Sequence, residues 1–398
     1  MITIGNPYIE KKDKFSILNC KVEVSNSSVR GGVIWFKVSD KYEKYLTTER
    51  SDAYLIGVLH YAMVNKHDIT CLSPVSETLL YNLETFFIDS LVKNSTSLYR
   101  PKIIAPIASE ALDCYNAVGT GASMGVDCMH SIVTHTNSIF VNHNLTHLSF
   151  HNVGASYGPN SPVYQERLAN AQFFCKNNGY ELVVSDSNFM EIIPQDHYMT
   201  HPYSSAFAIF CLQKLWGTYY YASGAPFSEF SLIDNDLYSP DRHELLTFNA
   251  FSTDTLRIYS EGANLTRLQK IQEISNHQIT YVSLNVCSLK GHNCGLCEKC
   301  IRTMAALDAI GHLEDYKKVF PVENYYSNYN YYLGRIYYYH LRKLHAFEEL
   351  YPYFKNKIGV KARYQALKYA FSLINLKSAS NLNGNLNGSK ELEHYASG

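Results

Sequence analysis

Four cysteines crowd into fourteen positions of the 398-residue chain: Cys287, Cys294, Cys297 and Cys300, in "CSLKGHNCGLCEKC". The two-residue gaps let thiolates wrap around one cation, while the six-residue loop brings in the fourth sulfur. Four thiolates close a tetrahedron, the form of a structural zinc site, with no open position for catalysis. An iron–sulfur cluster also draws on four cysteines in runs of this kind. Free or redox thiols are the third reading. The other six cysteines, Cys20, Cys71, Cys114, Cys128, Cys175 and Cys211, are scattered.

A second stretch with chemical potential is "AVGTGASMGVDC", residues 117–128. It reads as an apolar strand, a loop of glycine and hydroxyl residues, and the start of a helix. Ser123 and Gly125 fall on the turn and Asp127 at the helix start, where backbone N–H groups and the positive helix end form an anion site. No Gly-Lys-Ser/Thr follows, so the loop is not of the Walker type. A plain strand-to-helix turn is the alternative. Cys128 reads as a packing residue of the first helical turn, or else as a nucleophile.

Other groups could serve such a site. "SDSNF" puts Asp186 and Asn188 at a strand end, to meet substrate or ribose or simply to cap the next element. "EGANLTRLQK" carries Arg267 and Lys270 three apart, on one helix face, for phosphate or for solvent. His201 and Ser223 lie near other predicted strand ends, with contact to substrate or a structural role open to each. Arg302, directly after the cysteines, balances thiolate charge or pairs locally.

The elements that must position these residues alternate. Residues 15–38 hold two β-like runs around "SNSSVR", a predicted hairpin, and two amphipathic helices follow, so 1–98 reads as a small α+β domain. From 101 on, predicted strands at 114–121, 145–154, 180–187, 217–224 and 279–286 alternate with helices at 127–137, 162–177, 203–215 and 265–275. That alternation predicts an α/β domain with a parallel sheet, whose ligands bind at the carboxyl ends of the strands. Residues 313–376 read as a Tyr-rich helical extension, packed with hydroxyls at the rim or presenting an aromatic surface to a sugar or base. The Asn, Gly and Ser-rich residues 377–398 have the composition of a disordered tail.

Composition narrows the partners. With 46% hydrophobic and 18% charged residues the chain can bury a large core. Its 35 Lys and Arg against 36 Asp and Glu leave no basic field for nucleic acid or an anionic membrane. No stretch approaches the roughly 18 apolar residues of a membrane helix, and "MITIGNPYIEKKDKF" lacks the apolar run of a secretory signal. A cytoplasmic location is therefore expected, with cysteines as thiols or metal ligands. The aromatic C-terminal helices offer an interface for a homo-oligomer.

Taken together, the motifs carry a resemblance. "SMGVDC" resembles the SGGxDS signature of the PP-loop ATP pyrophosphatases, with Met124 at the second glycine and Cys128 at the last serine. The cysteine cluster resembles the zinc module of the 7-cyano-7-deazaguanine synthase branch of that superfamily. "GANLTRLQK" and "NCGLCEKCIRT" are similar to the GAELSRxxK and NCGxCxKCxRT of further PP-loop proteins. The likeness covers roughly 101–312. It implies a three-layer, parallel-sheet PP-loop (HUP-like) domain that binds ATP and Mg2+, with structural Zn2+ on Cys287, Cys294, Cys297 and Cys300. It further implies a ligase-like reaction: AMP transfer to a small-molecule carboxyl or carbonyl oxygen, pyrophosphate release, and displacement of AMP by ammonia or another nucleophile. Ser123, Gly125, Val126, Asp127, Cys128 and Asp186 would then surround the nucleotide, and Ser123, Asp127, Arg267 and Lys270 would act in catalysis. A nucleotide-binding protein without turnover, or a sulfurtransferase acting on nucleotides, are the other functions such a chain could have.

Overall fold

The computed structural model describes residues 1–25, 29, 31–154, 158–233 and 239–382. The chain forms two compact units: Met1–Ser123 with Ser131–Leu265, and Met124–His130 with the chain from Thr266 onward.

The first unit is α/β. Its strands are β1 (Ile2–Ile4), β2 (Tyr8–Lys12), β3 (Phe15–Val24), β4 (Gly31–Ser39), β5 (Ile69–Cys71), β6 (Val75–Ser76), β7 (Ile103–Ile104), β8 (Ile107–Ala108), β9 (Ala117–Gly121), β10 (His147–Asn152), β11 (Glu181–Ser187), β12 (Trp216–Ala222) and β13 (Arg257–Glu261). Among the described residues, eleven of these make one sheet in the order β13-β12-β9-β10-β11-β4-β3-β1-β5-β7, with β2 paired to β3, and β6 and β8 form a separate pair. The run from β13 to β11 is wholly parallel. In chain order its five strands lie as 5-4-1-2-3, so the connections leave β9 first to one side and later to the other. The loop after β9 thus starts at the place where a doubly wound sheet opens a ligand crevice. This arrangement is compatible with a three-layer α/β domain.

The predicted hairpin forms, with β3 and β4 antiparallel from Phe15↔Ser39 to Glu23↔Gly31. It does not stand apart as the 1–98 domain expected from the sequence. β4 pairs antiparallel with β11 through Ser185↔Val38 and Ser187↔Phe36, which welds the hairpin to the parallel sheet. The packing says the same. Phe207, in the helix His197–Cys211, stacks on Phe189 at 4.7 Å and meets Phe36 and Tyr54 edge-on at 6.1 and 5.5 Å. Aromatic contacts of this kind add about 0.5–1.5 kcal/mol each beyond area burial, and here they tie the hairpin and the helix Asp52–Asn65 into one core with the parallel strands.

Four of the five strands expected after residue 101 are present. The fifth, at 279–286, is not a strand. Its backbone is satisfied otherwise: the Asn293 side chain accepts from Val286 N–H at 2.8 Å and donates to the Leu284 carbonyl at 2.8 Å, and Asn285 N–H donates to Met124 O at 2.8 Å. The fifth parallel strand is instead β13, "RIYSE".

The second unit contains the first turn of the helix Val126–Thr134, the helix Arg267–Ile274, the cysteine segment, the helix Glu298–Ala309 and the Tyr-rich helices. Thr266 and Gln269 form a reciprocal capping box at the start of Arg267–Ile274. Further on, the helices Tyr329–Leu341 and Val360–Leu382 pack together, and the backbone of Ala362 and Ala366 lies so close to Gly334 that any side chain there would collide with it. Part of the tyrosine set packs inward, while Tyr326, Tyr353 and Tyr364 are exposed. Tyr325 and Tyr332 are fully buried, and the Tyr325 and Tyr329 hydroxyls both donate to Asp308 at 3.1 Å. Residues 377–382 of the expected disordered tail instead end the helix Val360–Leu382, and the tail from 383 on lies outside the described residues.

Candidate metal centre and anion site

The four clustered cysteines converge as their spacing predicts: the Sγ atoms of Cys287, Cys294, Cys297 and Cys300 all lie within 4.8 Å of one another. Backbone geometry builds the cluster. Gly295 holds φ +73°, and a Cβ there would lie 2.4 Å from Pro321, so "CGLC" admits only glycine at its second position. The tight turn aims N–H groups at sulfur: Leu296 and Cys297 donate to the Cys294 sulfur at 3.4 and 3.3 Å, Lys290 to Cys287 at 3.3 Å and Cys300 to Cys297 at 3.5 Å. Such donors stabilise thiolate charge. Hydrogen bonds from the Cys297 and Cys300 thiols hold the Cys287 thiol well below its ordinary range. A closed, soft, four-sulfur donor set fits a metal such as zinc. Cys297 also caps the helix Glu298–Ala309, so a metal held there would couple its binding to helix formation at one residue.

The loop after β9 adopts an unusual backbone. Met124 sits at φ +58° with its side chain 1% exposed. Left-handed backbone costs a non-glycine residue roughly 1–2 kcal/mol, so the loop geometry at this position is the one a glycine takes freely. The methionine side chain turns inward with Val126 and Cys128, which are 0% and 3% exposed, while Ser123 is exposed and Gly125 and Asp127 are half-buried. Cys128 is therefore placed as packing.

Asp127, in the first turn of the helix, is clamped by two cations. Arg267 Nη1 lies 2.6 Å from one carboxylate oxygen and Lys270 Nζ 3.1 Å from the other. Burial raises the carboxyl's pKa, but these two cations, with Arg302 behind them, outweigh burial and hold it below its ordinary value. Arg302 in turn lies 3.6 Å from Glu298, and burial together with the Arg267 charge pushes its guanidinium down. Arg267, Lys270 and Arg302 thus gather with Asp127 and Glu298 around one helix N-terminus. The buried Nε atoms of Arg267 and Arg302 have no hydrogen-bond partner among the described residues. Glu349, which accepts from Leu268 N–H at 3.4 Å, lines the same small cavity as Arg267 and Arg302.

The remaining sequence-predicted residues are held elsewhere. Asp186 pairs with Lys37 at 3.1 Å and accepts from Asn152 at 2.8 Å; Asn188 accepts from Trp35 N–H at 2.8 Å and donates to Val33 O at 2.9 Å. Both stitch the β4 edge onto the parallel sheet. His201 meets the Tyr221 hydroxyl at 2.7 Å, and Ser223 donates to Ala225 O at 2.9 Å. Sequence reasoning missed Glu298 and Asn293. Glu298 lies one turn before Arg302, an i,i+4 spacing that signals such a pair; nothing local to "GHNCG" announces that Asn293 replaces a strand. Comparison with protein-family models, with curated proteins and with solved structures returned no match. Among the described residues no helix is long and apolar enough to cross a membrane.

Proposed function

We propose that the chain is an ATP-dependent adenylating enzyme of the PP-loop type. The reading is supported above all by the cation cluster: Arg267, Lys270 and Arg302 gathered at the N-terminus of the helix that follows β9, with the Arg267 Nε making no hydrogen bond among the described residues and the Arg302 Nε only a 3.6 Å ion pair to Glu298. Phosphate oxygens are the ligand such a site suits best, because it combines a helix dipole, backbone N–H groups and guanidinium forks.

In this reading an oxygen of the acceptor's carboxyl or carbonyl group attacks the α-phosphorus of ATP. The bond from that phosphorus to the bridging oxygen breaks, and pyrophosphate leaves with the electron pair. The Ser123 hydroxyl and the Gly125 and Val126 N–H groups hold the leaving group, and Arg267, Lys270 and Arg302 spread its charge. Asp127 keeps Arg267 and Lys270 oriented. Its two oxygens face those cations, and Mg2+ bound with the nucleotide would supply further neutralisation of phosphate charge. Ammonia or another nucleophile then displaces AMP from the acyl adenylate. Zinc, on the four cysteines, supplies the structural tie that fixes the helix bearing Arg302.

The test is pyrophosphate and AMP release from ATP, Mg2+ and ammonia across a panel of carboxylic acids. Turnover that falls at least about 100-fold in Arg302→Gln, with ATP affinity reduced, is expected for a lost charge-stabilising group. ATP binding without cleavage across the panel, unchanged in Arg267→Gln and Arg302→Gln, would refute it.

A further inference from the structure

Over its described side chains, residues 360–373, the helix Val360–Leu382 packs on one face. Ala362 and Ala366 are 0% and 4% exposed against the helix Tyr329–Leu341. On the opposite face Val360, Tyr364, Leu367 and Phe371 are 85, 63, 60 and 64% exposed, four large apolar residues at spacings of four, three and four. At 3.6 residues per turn they fall within an arc of about 60°, a narrow seam of the a/d type rather than the broad apolar face of a helix lying on a membrane. The seam's borders are basic. Lys361 and Lys368 flank one side and Arg363 the other, all exposed, and the sequence carries no Asp or Glu between Glu349 and Glu391.

We infer that this seam docks an amphipathic helix of a partner protein whose own apolar stripe is bordered by Asp and Glu. A second copy of this helix would bring Lys361, Arg363 and Lys368 against their equivalents, and like charges at flanking positions oppose pairing. An acidic-flanked helix satisfies both the apolar seam and its borders. The inference does not depend on the adenylation reading.

The probe is a fluorescent three-heptad peptide with Leu at a and d and Glu at e and g, titrated with the full chain and read by anisotropy. A matched peptide with Lys at e and g is the control. The Glu peptide is expected to bind, with affinity falling several-fold as salt rises, and the Lys peptide to bind at least about tenfold more weakly, given the screening and repulsion of flanking charges. Leu367→Asp with Phe371→Asp should abolish binding while leaving the circular dichroism spectrum unchanged. Lys361→Glu with Lys368→Glu should transfer the preference to the Lys peptide. Equal binding of both peptides, or of neither, overturns the inference. So does a chain that self-associates in sedimentation through Leu367, or one that floats with phosphatidylserine vesicles while ignoring the Glu peptide.

Discussion

The two units bury ionisable groups in opposite ways. In the first unit histidines go inside neutral: burial, and secondarily the neighbouring His60, pushes His243 down to about 4, and burial pushes His151 down to about 3. His151 keeps one ring nitrogen on the Ser185 hydroxyl at 2.6 Å. In the second unit the charges stay. Asp127 is matched by Arg267 and Lys270, Glu298 sits beside Arg302, and four sulfurs share one centre. A neutralised group closes a core and offers a ligand little. Retained charge, imperfectly balanced, is what can hold a metal or a phosphate.

Breaking the sulfur cluster should have the largest effect. Structural zinc contributes on the order of 10 kcal/mol to small modules that fold around it. Chelation, or Cys294→Ser with Cys297→Ser, is expected to release zinc and to expose amides between 284 and 309 to hydrogen exchange, while amides of the first unit keep their protection. A double variant that retained both zinc and protection would show that these sulfurs are not the tie.

The Asp127 clamp comes next. Asp127→Asn leaves Arg267 and the 2%-exposed Lys270 without their counter-charge, at about 3–4 kcal/mol, toward the lower part of the range for a buried pair because Asp127 is 22% exposed. The sign with pH follows from the lowered folded pKa. Asp127's contribution is complete above the unfolded carboxyl's ordinary value and is lost as pH falls through the lower folded one. Denaturant titrations should therefore show wild type converging on Asp127→Asn only in strong acid. A constant difference down to that range would mean the clamp carries no net charge energy.

What the sequence disclosed follows the reach of each interaction. The sulfur site was legible because its ligands sit within fourteen residues and metal geometry dictates their gaps. Arg267 and Lys270 were legible as one helix face, but their partner was not, since Asp127 lies 140 residues before Arg267. Residues 279–286 alternate as a strand should; the competing partner is a single side chain, Asn293, that no periodicity reveals. β13 was missed because "RIYSE" is short and half polar, and β4 joining β11 was missed because nothing local to either strand specifies a neighbour about 150 residues away.

The neutral histidines give the converse test. For His243 the unfolded chain takes up a proton near the ordinary histidine value while the folded chain resists until about 4. Stability owed to this group is thus full above pH 6.5 and falls as pH drops toward 4, by about 3 kcal/mol from the size of the shift. His243→Gln should flatten that part of the stability profile. An unchanged slope would place the acid sensitivity on other groups.

The smallest effect probes the loop backbone. At most sites Ala stabilises a chain relative to Gly, because Gly loses more freedom on folding. At Met124, with φ +58°, the order should reverse. Both Met124→Ala and Met124→Gly give up the buried methionine side chain, so that loss cancels between them. What remains is the left-handed strain, which alanine keeps and glycine escapes, less glycine's extra entropy, leaving Met124→Gly more stable than Met124→Ala by about 1 kcal/mol. Paired melts of the two variants measure the difference without reference to wild type. If alanine proved the more stable, the loop would not require the backbone of a glycine, and its likeness to a phosphate-binding turn would lose its conformational basis.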